Sequence, residues 1–236
     1  MNHGKDPMIT RVLPLFLTLA LAGCASATPA PSAPDSAGIA IGVTVRPPAR
    51  MFSQEPEQVL FVRLAGEGDS FTSGELMPSN YASGGYLYLL NAPPGTYVAV
   101  TCFKDMEPVP ATPEAPAHSG IHASVSFQPG QTNYTTYFPE QMIRETRITV
   151  QPGQIAFMGN FTVDQDLGLK DADPTQREYY ARFGGRDESE SFLANALGGD
   201  YHYRGTLHAS DHGAAARAEF VESTNNRLVE AGWKAQ

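Results

Sequence analysis

The chain has 236 residues, 42% hydrophobic and 17% charged, which allows one sizeable core and excludes a disordered sequence. A formal net charge of -9, with no run of Lys or Arg, excludes a surface built to neutralise nucleic-acid phosphates. The same acidity gives no electrostatic pull toward anionic lipid.

From the N-terminus, Arg11 precedes a short apolar run, Val12 to Leu21, that ends in Leu21-Ala22-Gly23-Cys24. About ten apolar residues are too few for a membrane-spanning helix, which needs roughly twenty. A basic start, a short apolar stretch and a small-residue cleavage site mark an export signal, for which Met8 is a more typical opening than Met1. The run resembles a bacterial lipoprotein signal with its lipobox. That resemblance implies that residues 1–23 are removed by cleavage between Gly23 and Cys24, and that Cys24 carries lipid. With Ala25 where an aspartate would signal inner-membrane retention, it also implies the outer membrane. At about 0.8 kcal/mol per buried CH₂, two or three acyl chains anchor stably. An exported protein without lipid is the rival reading.

Residues 24–38 form the expected tether. Ala25 to Ser36 alternates Pro, Ala and Ser, has no apolar face to bury, and favours extended polyproline-like chain. It reads as a spacer that lifts a folded body off the bilayer.

Residues 39–163 read as an antiparallel β-sandwich. The expected strands are Ile39–Val45, Val59–Ala65, Tyr86–Leu90, Thr96–Phe103, Ser124–Phe127, Thr132–Phe138, Arg147–Val150 and Ile155–Val163, each rich in β-branched or aromatic residues. Turn signals separate them, among them Ser83-Gly84-Gly85, Pro93-Pro94-Gly95, Pro129-Gly130 and Pro152-Gly153. In the last strand, Ile155, Phe157, Phe161 and Val163 fall on one face and Ala156, Met158, Asn160 and Thr162 on the other. Gly159 leaves room for a bulge or a close approach. The stretch Asn91 to Val100 resembles the Pro-Gly-x-Tyr hairpin entry of prealbumin-like domains of the carboxypeptidase regulatory kind, which implies a sandwich with Tyr97 packed inward. Gln128-Pro129-Gly130-Gln131 and Gln151-Pro152-Gly153-Gln154 repeat one strand-ending turn. The proline-rich stretch 104–116 reads as a stiff exposed loop and a place for partner contact.

Residues 164–236 read as a helical segment packed on that body. Asp173-Pro174-Thr175-Gln176 is a helix start with a partial capping box. Phe192 to Leu197 suggests a second short helix, and Gly213 to Ala231 a third with Phe220, Val221, Thr224 and Leu228 on one stripe.

Candidate chemistry is sparse. His202, His208 and His212 lie near Asp200 and Asp211, and a metal-dependent hydrolase using these histidines is the alternative function. Gly205 and Gly213 interrupt the stretch, so histidines in a turn are the plainer reading; His118 and His122 carry less. Asp164, Asp166, Asp171 and Asp173 fail the EF-hand spacing, since Leu169 and Thr175 stand where Gly and Glu belong. Once Cys24 is acylated, Cys102 is a lone thiol on a strand and reads as a small hydrophobe. Tyr134, Tyr137 and Phe138, with Tyr201 and Tyr203, are aromatic rows that serve either packing or binding. Asn133-Tyr134-Thr135 and Asn160-Phe161-Thr162 match the glycosylation tripeptide without consequence in a bacterial protein. No nucleophile elbow, Walker loop or dinucleotide loop is present. The expectation is a non-enzymatic envelope lipoprotein without cofactor, bound to the bilayer through Cys24 and to an envelope protein or cell-wall glycan through its body.

Overall fold

A computed structural model describes residues 28–48, 53–65, 71–104, 133–184 and 200–235. The strands are β1 (Ala37–Arg46), β2 (Gln58–Arg63), β3 (Glu75–Pro78), β4 (Tyr81–Ser83), β5 (Tyr86–Ala92), β6 (Gly95–Lys104), β7 (Asn133–Tyr137), β8 (Ile148–Val150), β9 (Ile155–Leu167) and β10 (Asp200–Asp211). The helices are α1 (Glu140–Glu145), α2 (Pro174–Gly184) and α3 (Ala214–Leu228), the last continued by a 3₁₀ turn at Val229–Ala231. Lys104 closes β6. The signal, the lipobox, the proline stretch 105–116, the expected strand Ser124–Phe127, the first Pro-Gly turn, His118, His122 and the expected helix at Phe192–Leu197 lie outside the described residues.

The protein is mainly β, as its alternation predicts, but the strands join one open mixed sheet where two antiparallel sheets were expected. Their order is β3-β2-β6-β7-β10-β9-β1-β5-β4, with β8 pairing β6 off this path. Most pairs are antiparallel; β1 with β9 and β7 with β10 are parallel. The boundary expected at residue 164 is not one. β9 runs on to Leu167, and β10, from the supposedly helical segment, inserts between β7 and β9. Tyr201, Tyr203 and Leu207 alternate with His202, Arg204 and Thr206, and that period-2 signal outweighs the glycine at 205.

One large core is shared by strands from both halves of this path. It holds Ile39, Ile41, Val43 and Val45 of β1 and Leu87 and Leu89 of β5, together with Val59–Val62 of β2 and Val98, Val100 and Cys102 of β6. Met142 and Ile143 of α1 and Tyr179 and Tyr180 of α2 complete it. A second core forms where α3 lays Ala216, Phe220 and Leu228 on Ala40, Tyr86, Tyr88, Leu90, Ile155 and Phe157, with Trp233 closing one end. Of the expected stripe, Phe220, Thr224 and Leu228 are buried and Val221 is half-buried.

The Pro93-Pro94 link is not a hairpin. β5 pairs with β1 and β4, whereas β6 pairs with β2, β7 and β8, so the two prolines carry the chain from one half of the sheet to the other. Proline has no N–H to offer a ladder, which suits a crossing segment. Tyr97 is fully buried as expected, its hydroxyl donating to the Pro93 carbonyl at 2.6 Å.

β9 also departs from simple alternation. Its register against β1 slips between Ala40 and Gly42, where Phe157 and Asn160 are the partners, so one extra residue sits in β9. The bulge spans Gly159, whose φ of +119° is open only to glycine. Ile155 and Phe157 therefore face the α3 core, while Phe161 and Val163, expected on the same face, enter the large core.

Candidate functional site

The N-terminal strap is the first feature that chemistry singles out. Residues 28–36 lie on the body, where a free spacer was expected. The Trp233 indole N–H donates to the Pro29 carbonyl at 2.6 Å. Asn91 clasps the strap with both ends of its amide: Nδ2 donates to the Ala30 carbonyl at 3.0 Å, and Oδ1 accepts from Ser32 N at 2.7 Å. Thr28 and Tyr81 share a hydroxyl–hydroxyl bond of 3.2 Å, and the Ser36 hydroxyl accepts from Ala33 N at 3.0 Å. Asn91 is the non-glycine residue at positive φ among the described residues, at +62°. Asn tolerates that region better than most residues, and the conformation is held by the clasp it makes. Composition alone could not give this result, because the strap buys its order from polar partners far away in sequence.

The second feature is a tyrosine row. β7 and β10 run parallel with Tyr134 opposite Tyr201 and Thr136 opposite Tyr203, so these residues share one face. The Tyr134 ring stacks on Tyr201 at 5.2 Å with planes 10° apart, and on Tyr203 at 6.3 Å with planes 16° apart. Tyr134 and Tyr201 are half-buried and Tyr203 is buried. Burial, then the neighbouring phenols of Tyr134 and Tyr201, push the Tyr203 hydroxyl above its ordinary pKa. Such rings are apolar in body and polar at the tip, a combination that suits an interface.

The three histidines do not converge. His202 lies on the face opposite the tyrosine row, its Nδ1 at 2.9 Å from the Tyr137 hydroxyl and its ring edge-on to Tyr180 at 5.2 Å. His208 Nδ1 is 3.6 Å from Asp164, and His212 Nε2 is 3.7 Å from Glu145. His208 sits on the extended chain of β10 and His212 just past its end, so the two share no helical face. Among the described residues no group of three His, Cys, Asp or Glu side chains is placed to hold a metal.

The acidic cluster is likewise distributed. Asp164 takes a two-pronged bond from Arg46, Nε at 2.5 Å and Nη2 at 2.8 Å, and that bond, with smaller help from the carboxylate's charge, raises the Arg46 pKa. Asp166 accepts from Arg204 at 2.8 Å and from the Thr206 hydroxyl at 3.0 Å. Asp171 lies 3.6 Å from Arg204. Asp173 caps α2 as predicted: Gln176 N donates to its Oδ1 at 2.8 Å, and its own N–H donates to Gln176 Oε1 at 3.1 Å. Each carboxylate thus has a structural partner.

Glu145 is held below the usual carboxylate range by a bond from Ser210, with smaller help from Gln141 and His212. The His212 ring covers Gly159, where a Cβ would meet Nδ1 at 2.5 Å, and stands edge-on to Phe161 at 5.1 Å. Cys102 is fully buried, and burial pushes its thiol up to about 12, so it stays protonated and unreactive.

Among the described residues no helix is long and apolar enough to cross a membrane. Cys24 and Gly23 lie outside the described residues. No protein-family model matches the chain, and no curated protein or solved structure matches it either.

Proposed function

We propose that the chain is a lipid-anchored protein of the bacterial envelope whose β-rich body is a non-enzymatic binding module. Its anchor is Cys24, in Leu21-Ala22-Gly23-Cys24, and Ala25 favours the outer membrane. In this reading the body is a prealbumin-like sandwich. The core shared by the two halves of the sheet supports it, as does the Pro93-Pro94 crossing between them.

The single observation that carries the binding function is the stacked row of Tyr134, Tyr201 and Tyr203. Tyrosine gives a large rigid contact at low entropic cost and is enriched at the cores of protein interfaces. An envelope protein is therefore the favoured partner.

A photo-crosslinking residue at Tyr134 or Tyr201 in intact cells tests this reading. One abundant protein adduct, lost when the label moves to Glu178 on α2, is the expected result. Retention on isolated cell-wall saccules without a protein adduct would replace the protein partner by glycan. Neither adduct nor retention would overturn the binding reading.

A further inference from the structure

The strap changes what an anchor at Cys24 would do. A free tether of the twelve residues from Ala25 to Ser36 would let the body stand up to about 40 Å from the lipidated cysteine. The clasp at Asn91 and Trp233 removes most of that length. Between Cys24 and Thr28 only four residues of reach remain, about 14 Å fully extended. An acylated cysteine sits at the level of the lipid headgroups, so Thr28 must lie within that short span of them.

We infer that residues 28–36 are a strap that fixes the body on the bilayer in one orientation, with the Tyr81–Asn91–Trp233 end toward the lipid headgroups. This rests on the lipid-anchored reading above. Thr28 bonds to Tyr81 on β4, which is the last strand of the sheet on that side. Pro31 lies against Gly232, beside Trp233. The tyrosine row lies on β10 and β7, three and four strands along the path from β5. The anchor and the proposed binding face are thus carried by different strands of one rigid sheet, and fixing the first also aims the second.

Trp233 is the one tryptophan in the chain and sits in the clasp itself. The test uses the full chain purified from membranes and reconstituted in phosphatidylethanolamine–phosphatidylglycerol vesicles that carry a headgroup nitroxide, a short-range quencher. The comparison is the same protein with a long Gly-Ser insert after Ala27, which keeps every strap bond and lengthens only the reach. The expected result is strong quenching of Trp233 in the natural chain and its loss with the insert. Equal quenching in both would overturn the orientation while leaving the anchor intact. Intact mass is read on the same samples, and an unacylated Cys24 would instead remove the anchored reading on which the inference rests.

Discussion

Trp233 and Pro29 are 204 positions apart, and the indole N–H of the first donates to the carbonyl of the second at 2.6 Å. This bond joins residues 28–36 to the segment after α3, where Trp233 is 2% exposed in the core under that helix. A segment whose composition reads as linker is ordered by side chains placed by the fold.

Replacing Trp233 separates the ring from its donor. Trp233→Phe keeps most of the apolar burial and loses the bond, at about 1 kcal/mol, whereas Trp233→Ala also empties the site, at about 3–5 kcal/mol. Urea denaturation followed by circular dichroism measures both. In addition, Trp233→Phe is expected to speed proteolytic cleavage within residues 28–36; unchanged cleavage would mean the strap is held without the indole.

Gly159 and Gly153 both have positive φ, but their surroundings differ. A Cβ at Gly153 meets nothing within 4 Å, while at Gly159 it meets the His212 ring at 2.5 Å. Gly153→Ala should cost about 1–2 kcal/mol through backbone strain alone. Gly159→Ala should cost clearly more, and His212→Ala in the same chain should recover the part owed to the ring but not the backbone strain at φ +119°. Equal costs at the two positions would refute the close approach.

How far the sequence speaks is clearest in β9 and β10. Period-2 alternation places β9 and names its apolar residues, and Gly159 flags an irregularity. The exchange of faces across the bulge depends on how β1 pairs with it, which no local pattern encodes. In β10 the alternation of Tyr201, Tyr203 and Leu207 is present but is obscured by Gly205. That glycine is needed because a Cβ would strike the Tyr137 carbonyl at 2.6 Å. Local chemistry was enough for the Asp173–Gln176 cap of α2 and for the α3 stripe. The short helix α1, whose N-cap Pro139 makes no side-chain cap bond, carries no such mark. The tyrosine row was visible as residues, yet its stacking requires the parallel pairing of β7 with β10.

Phe157 and Phe220 stack at 4.5 Å with planes 8° apart, the closest ring pair under α3. Phe157→Ala should cost about 3–5 kcal/mol. A double-mutant cycle with Phe220→Ala should return a coupling of about 0.5–1.5 kcal/mol beyond simple burial. Additive losses would place the two rings in separate environments.

Alkaline pH should destabilise the protein through its buried phenols. Burial raises Tyr88 and Tyr97 from 10 to about 12. Between those values the unfolded chain binds fewer protons than the folded one, so stability falls as pH rises. The stabilisation is complete below pH 10, and each ring gives up about 2 kcal/mol by pH 12. Cys102, raised from 9 to about 12, acts with the same sign. Urea midpoints measured from pH 9 to 12 should show a shallower decline in Tyr88→Phe, and an identical decline would contradict the burial argument.

The central claim is that a strapped β-rich body hangs from a lipid on Cys24. Intact-mass and N-terminal peptide analysis of the protein recovered from bacterial membranes tests it most directly. A mature chain that begins at Cys24 and carries acyl groups is the predicted result. A chain that keeps residues 1–23, or is cut elsewhere and bears no lipid, would contradict it.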